Sequence, residues 1–439
     1  MEKGNRKVIT AWTFYDWANS VYNLVITATI LPIYYKAVTI TKDDAGNEIS
    51  NVVTFLGMQF KNTTLYDYSL AFANLIVAAV IPLLSGIADY GGSKKKFMQF
   101  FCYLGAASCS LMYFFTRDNL ALGVFLIVFA SVGFWGSLVF YNAFLPEIAE
   151  VQHQDKVSAR GFAMGYAGSS LLLIFNLMMV QKPEWFGISD AGMATRISFL
   201  TVGIWWMGFA QIPFYFLPGK AAIGKSGENM LTKGYQELRK VWKDMKHNYV
   251  LRSYLLAFFV YNMGVQTVLL VATLFGAQEI KMETGQLITT ILIIQFVALL
   301  GAYLFSFLSK KIGNIRTLMI AVCIWIGACL GTYFFCYSPT DFFVVAGFVG
   351  LVMGGIQSLS RSTYSKLLPE TDDHASYFSF YDVTEKVCIV LGMATFGIIN
   401  EMSTSMRKPI IMLIVFFILG FLLLLRVPKG KMPTSSANA

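Results

Sequence analysis

Apolar runs of about twenty residues recur twelve times along the chain, the length a helix needs to cross a bilayer. Inside a bilayer every backbone N–H and C=O must find its partner within the protein, which leaves helices or closed barrels. The runs are continuous rather than alternating, so they predict helices. Their approximate limits are 11–38, 64–88, 97–116, 120–149, 158–180, 196–218, 251–278, 285–308, 317–337, 341–367, 377–400 and 409–426. Composition closes off a soluble alternative: 56% of the 439 residues are hydrophobic and 13% charged, against roughly 25% charged in a soluble domain. The expectation is an all-α membrane protein with twelve transmembrane helices. The first run contains Asp16 and lacks a small-residue cleavage site, so it is expected to stay as a helix rather than be removed as a signal peptide.

Orientation follows from Lys and Arg, which concentrate in cytoplasmic segments. An even number of spans puts both termini on one side. The segments on that side carry 24 Lys and Arg, the opposite side 8, and Lys36 and Lys386 lie within spans. Both termini are therefore expected to be cytoplasmic, in a plasma (inner) membrane. The net charge of +9 is largely this orientation signal. It accompanies no nucleic-acid-reading motif, so no nucleic acid is expected as a partner. The six cysteines all fall in spans and form neither a CxxC nor a Cys/His cluster, so no disulfide and no metal are expected.

The longest basic connection, 219–250, separates six spans from six and suggests an N-terminal bundle, 1–218, and a C-terminal bundle with a short tail, 251–439. Within it, "GYQELRKVWKDMKH" places Tyr235, Leu238, Trp242 and Met245 at spacings of three and four, an amphipathic helix. Such a helix either lies along the membrane surface or is a solvated link between bundles. The two halves echo each other. "FYDW" at 14–17 matches "VYNM" at 260–263, "FLPE" at 144–147 matches "LLPE" at 367–370, and "ADYGGSKKK" after span two matches "LSKKIGNIR" after span eight. Three matches in order point to a duplicated six-helix unit, the plan of the major facilitator transporters.

Segment 85–96, "SGIADYGGSKKK", resembles that superfamily's loop between helices two and three. Asp89, Gly92, Lys94 and Lys95 fit it; Ser85 and Tyr90 stand where the pattern has Gly and a basic residue. The resemblance implies that Asp89 sits against the start of helix eleven and helps hold the cytoplasmic side shut; the alternative is a tight basic turn. "YDWANSVY" (15–22), "FYNAFLPEIA" (140–149) with "SARGFAMGYAG" (158–168), and "GGIQSLSRSTYSKLLPE" (354–370) with "FYD" (380–382) look like the vacuolar effluxer family linked to autophagy and its bacterial relatives. Around 374–380, "HASYFSF" departs from the pattern of that family. For the yeast members the family implies release of amino acids from the vacuole.

Ionisable groups in a span cost at least about 2.5–3.5 kcal/mol at its centre on insertion scales, so they face a cavity or a partner. Tyr15, Asn19 and Tyr22 share a helix face, which Asp16, Ser20 and Asn23 overlap. Either this strip meets water and substrate in a transport path, or Asp16 pairs with a Lys or caps a neighbouring helix. Helix eleven carries Asp382, Glu385 and Lys386. Asp382 and Lys386 pair at i, i+4 and leave Glu385 less compensated. These acids, with Asp16, are the candidates for proton coupling; the alternative for helix eleven is a structural ion-pair cluster. Glu147 is placed with the gate, paired with Lys94 or Lys95, or contacts substrate. Arg361 either holds a substrate carboxylate or snorkels to the interface. Tyr141, Asn142, Tyr261, Asn262, Gln266, Gln357 and Tyr364 fall on helices four, seven and ten, which line the cavity in the superfamily. They offer neutral hydrogen bonds to a small polar ligand, or they join helices.

No phosphate loop, catalytic cluster or cofactor motif is visible, so no enzyme and no cofactor are expected. The expected function is secondary transport of a small polar solute, an amino acid or similar, by alternating access and driven by protons or another ion. The alternative is a membrane receptor or scaffold that keeps the fold and moves nothing.

Overall fold

The computed structural model describes residues 3–43, 48–219, 230–403 and 405–428. Among the described residues, eleven helices are long and apolar enough to cross a membrane: Arg6–Thr39, Asn62–Tyr90, Lys94–Phe114, Arg117–Ile148, Val151–Gln181, Ala191–Phe216, Tyr249–Gln278, Thr284–Ile312, Asn314–Phe335, Pro339–Leu367 and Lys408–Arg426. One further helix of the same length, His374–Glu401, falls between the last two and carries Asp382, Glu385 and Lys386. Numbered in chain order, these are spans one to twelve, and His374–Glu401 is span eleven. Between spans six and seven lies the linker helix, Met230–His247.

Local signals set the boundaries. Ser338 opens span ten with a capping box: its Oγ accepts from Asp341 N, and Asp341 Oδ2 accepts from Ser338 N at 2.9 Å. Asn248 caps span seven by accepting from Leu251 N at 3.1 Å, which separates that span from the linker helix. Two features have no apolar signature. Residues Tyr22–Ile30 of span one are π-helical, a rare geometry often found at functional positions. Thr29 Oγ1 donates to Leu24 O, five residues back. The connection between spans one and two carries two antiparallel strand pairs, Thr41–Lys42 with Glu48–Ser50 and Val52–Phe55 with Met58–Lys61. The second turns at Leu56 and Gly57, both with positive φ, as a two-residue hairpin of type I′ requires.

The chain forms two compact units. The first comprises Arg6–Tyr141 and Met164–Met230; the second comprises Met1–Asn5, Asn142–Ala163 and Leu231–Ala439. In the first, Trp12, Tyr15, Phe140, Tyr141 and Trp206 are fully buried. In the second, spans eight and ten touch along glycines: a Cβ on Gly301 would strike Leu351 O, and one on Gly354 would strike Ala298 O. Small residues let backbones approach where lipid supplies no hydrophobic drive. The second unit also contains the short segment 142–163, tied to the N-terminus by Gly4 N donating to Ile148 O at 2.9 Å.

Candidate functional site

Three polar clusters lie among the helices. In the first unit, Asp16 is buried and its Oδ2 accepts from Tyr141 Oη at 2.7 Å. The Tyr141 ring stacks on Trp12, 4.4 Å between centroids, and Trp12 Nε1 donates to Tyr141 O. Tyr15 packs on Tyr141, and Tyr22 on Phe134 and Trp206, so both face the core of their own unit. Asn19 is buried, and its Nδ2 has no hydrogen-bond partner among the described residues; Asn23 is exposed. At one end of this unit, Asp89 and Lys94 face each other at 4.0 Å, Gly92 turns the chain with φ +63°, and Lys95 donates to Leu217 O at 3.0 Å.

The second cluster joins spans seven, ten and eleven. Gln266 Nε2 donates to Glu385 Oε1 at 2.6 Å, and Lys386 Nζ lies 3.3 Å from Asp382 Oδ1. The i, i+4 pairing of Asp382 with Lys386 is therefore present. Tyr261 Oη meets Ser360 Oγ at 2.7 Å, and Tyr364 Oη donates to Tyr377 O at 2.6 Å. Asn262 is buried with its Nδ2 unsatisfied among the described residues, and Gln357 is half-buried. An amide buried without a partner costs about 1–3 kcal/mol.

The third cluster was not legible as a site. Asp155 lies in the first turn of the helix Gln154–Gln181, where the helix dipole favours an anion. Its Oδ2 accepts from Lys366 Nζ at 2.6 Å and from Ser309 Oγ at 2.9 Å; its Oδ1 accepts from Asn314 Nδ2 at 2.8 Å. Lys366 Nζ also donates to Asn314 Oδ1 at 3.2 Å, and Asn314 Nδ2 to Thr363 Oγ1 at 3.0 Å. The Lys366 and Asp155 side chains are only 7% and 8% exposed. One turn along, Arg361 is 3% exposed. It donates through Nε to Ser158 Oγ at 2.9 Å, through Nη2 to Ser158 O at 2.9 Å and through Nη1 to Asn142 Oδ1 at 3.2 Å. Its guanidinium lies over the Phe162 ring, 4.2 Å from the centroid. Arg361 therefore does not snorkel. Ser158 Oγ donates in turn to Ser358 O at 2.8 Å.

Beside this network, Glu147 Oε1 meets His374 Nδ1 at 3.0 Å. His374 begins span eleven. Just before it, Asp373 accepts from Lys240 of the linker helix at 2.9 Å. That bond, aided by Glu237, holds the Lys240 ammonium above its ordinary pKa. The acid in a helix's first turn and the Gly–Asn turn at 313–314 are the sequence signals that could have led to this cluster.

The family model described as "Vacuole effluxer Atg22 like" matches residues 4–434. The chain is 29% identical to the uncharacterized MFS-type transporter YxiO of Bacillus subtilis, over 98% of this chain and 96% of that one. It is 23% identical to autophagy-related protein 22 of Yarrowia lipolytica, over 87% and 78% of the two chains. Among solved structures, the proton:xylose symporter XylE superposes with a TM-score of 0.70 at 12% identity, covering 96% of this chain and 95% of that one. The fold is that of the major facilitator superfamily, with twelve transmembrane helices.

Proposed function

We propose a transport cycle on one premise: the chain belongs to the vacuole effluxer Atg22-like family and is a multi-pass transporter of the major facilitator type. Its cargo is a small polar solute, an amino acid or similar. It works by alternating access in a plasma membrane, and the Lys and Arg asymmetry supports cytoplasmic termini. The observation that carries the reading is the Asp155 network. We read it as a seal in which hydrogen bonds and one ion pair join helix ends within the second unit. Polar contacts can be exchanged for water or for alternative partners, so such a seal can open; a packed apolar core has no comparable second arrangement.

The unsatisfied amides of Asn19 and Asn262 support a polar cargo, since a ligand carbonyl or carboxylate would remove the cost of leaving them unpaired. Proton coupling rests on Asp16 and Glu385. Each is a carboxylate within a span that accepts a hydrogen bond from a neutral donor, Tyr141 or Gln266. The related fold of a proton:xylose symporter is consistent with that drive.

The test has two stages. A thermal-shift panel of amino acids and small peptides identifies the cargo, since a ligand at about 100 times its dissociation constant stabilises by about 2.7 kcal/mol. Counterflow and pH-driven accumulation of that cargo are then measured in proteoliposomes. Glu385→Gln or Asp16→Asn should abolish accumulation on a pH gradient and keep exchange, which needs no net proton movement. Binding without counterflow would overturn transport and leave a receptor. Accumulation retained in both variants would remove these carboxylates from the coupling.

A further inference from the structure

We propose that the linker helix carries a binding surface for anionic lipid headgroups on the flank formed by Tyr235, Arg239, Trp242 and Lys246. On a helix these four positions fall within a sector of about 60°. Tyr235 and Trp242 are 60% and 57% exposed, and Arg239 and Lys246 are exposed beside them. The sector contains no acid. Glu237 and Asp244, the helix's two acidic residues, lie on the opposite flank with Lys240 and Lys233. The buried face between the flanks, Gly234, Val241 and Met245, packs on the protein, so the aromatic residues border the bundle and the cations lie further out.

The position of the helix fixes what that flank meets. Only Asn248 separates it from span seven, which starts at Tyr249. The Trp242 ring contacts Phe380 at 5.6 Å between centroids. Phe380 lies six residues into span eleven, roughly 9 Å along its axis at 1.5 Å per residue. Trp242 thus lies near the end of span eleven, where aromatic rings bridge water and lipid, and Arg239 and Lys246 flank it on the exposed side. A fully apolar flank would sink into the acyl region, and an uncharged one would show no preference among lipids; an aromatic edge backed by two unopposed cations selects anionic headgroups. The opposite flank holds Asp373 through Lys240, next to the His374–Glu147 contact, so a helix pinned by lipid is also tied to the start of span eleven.

The test is hydrogen exchange of residues 230–247 in the full-length protein, in nanodiscs of phosphatidylcholine alone or with phosphatidylglycerol added. Exchange of these amides should be slower in the anionic discs, and added salt should remove the difference. Each basic side chain near an anionic surface is worth roughly fivefold in the equilibrium, so Arg239→Gln/Lys246→Gln should cancel a protection of up to about 25-fold. Lys233→Gln, on the other flank, should leave the protection in place. Equal exchange in the two discs would overturn the proposal, as would protection that survives in Arg239→Gln/Lys246→Gln. Protection that Lys233→Gln removes as fully as the double variant would also overturn it, by showing a diffuse charge effect rather than a surface.

Discussion

Gly92 and Gly313 each turn the chain between two spans with a positive φ, +63° and +87°, and the sequences around them echo each other. What surrounds the two turns differs. At the first, Asp89 faces Lys94 at 4.0 Å, both from the same stretch of chain. At the second, Asn314 and Ser309 join Asp155, Lys366 and Thr363, and every bond is between 2.6 and 3.2 Å. The first turn carries a recognisable motif within twelve residues. The second carries a shorter echo of it and a network drawn from four segments of the second unit. A short motif marks where the backbone turns; the network at the second turn is assembled across separate segments and carries no such motif.

The largest expected effect is at Lys366. Lys366→Met leaves the Asp155 carboxylate buried without its cation, and breaking a buried ion pair costs about 3–5 kcal/mol. The loss should fall on the sealed state and appear as faster maleimide labelling of a cysteine introduced at Ser358, which is buried in the wild type. Asp155→Asn/Lys366→Met should recover much of the seal, because removing both charges leaves no uncompensated ion. Unchanged labelling in Lys366→Met would erase the distinction between the two turns.

Asp89→Asn should do less, about 1–3 kcal/mol, because asparagine keeps a hydrogen-bonding side chain beside the buried Lys94, whereas Lys366→Met removes its polar group altogether. An effect equal to that of Lys366→Met would put the motif-bearing turn level with the second. The glycines sharpen the same contrast. Gly313 has φ +87° and ψ 156°, a region essentially closed to other residues, so Gly313→Ala should cost about 1–3 kcal/mol in thermal unfolding. Gly92→Ala should cost nearer to about 1 kcal/mol, the ordinary penalty of a left-handed residue. The reverse order would show that the two turns are not built for their different partners.

Much of the fold was open to reading because apolar runs of membrane length are hard to mistake. Even span eleven, with Asp382, Glu385 and Lys386, kept enough apolar residues around them to be recognised as a helix. The π-helical stretch and the strand pairs between spans one and two were not legible, since neither changes the hydropathy of its segment. Asp16, Glu385 and their surroundings stood out as charges in apolar text. Their partners Tyr141 and Gln266 were named only as members of a cavity set, because 125 and 119 residues separate the pairs. Arg361 and Lys366 show how one signal hides another. Both counted toward the basic side of the membrane, yet both are buried in polar networks, and a count of charges cannot tell a solvated lysine from a bonded one. Asp155 had no mark beyond its place in a helix's first turn, and its partners lie 154 to 211 residues away.

Whether the network around Asp155 opens during transport is tested most directly by fastening it. Ser158→Cys and Ser358→Cys, in a background with the six native cysteines replaced, put thiols on two residues in contact, Ser158 Oγ lying 2.8 Å from the backbone carbonyl of Ser358. Exchange of the cargo found by thermal shift is then followed in proteoliposomes before oxidation, after oxidation and after reduction. Oxidation should stop exchange in proportion to the cross-linked fraction, and reduction should restore it. Full exchange by quantitatively cross-linked protein would contradict the proposal, because cargo would then be crossing while the seal stays shut.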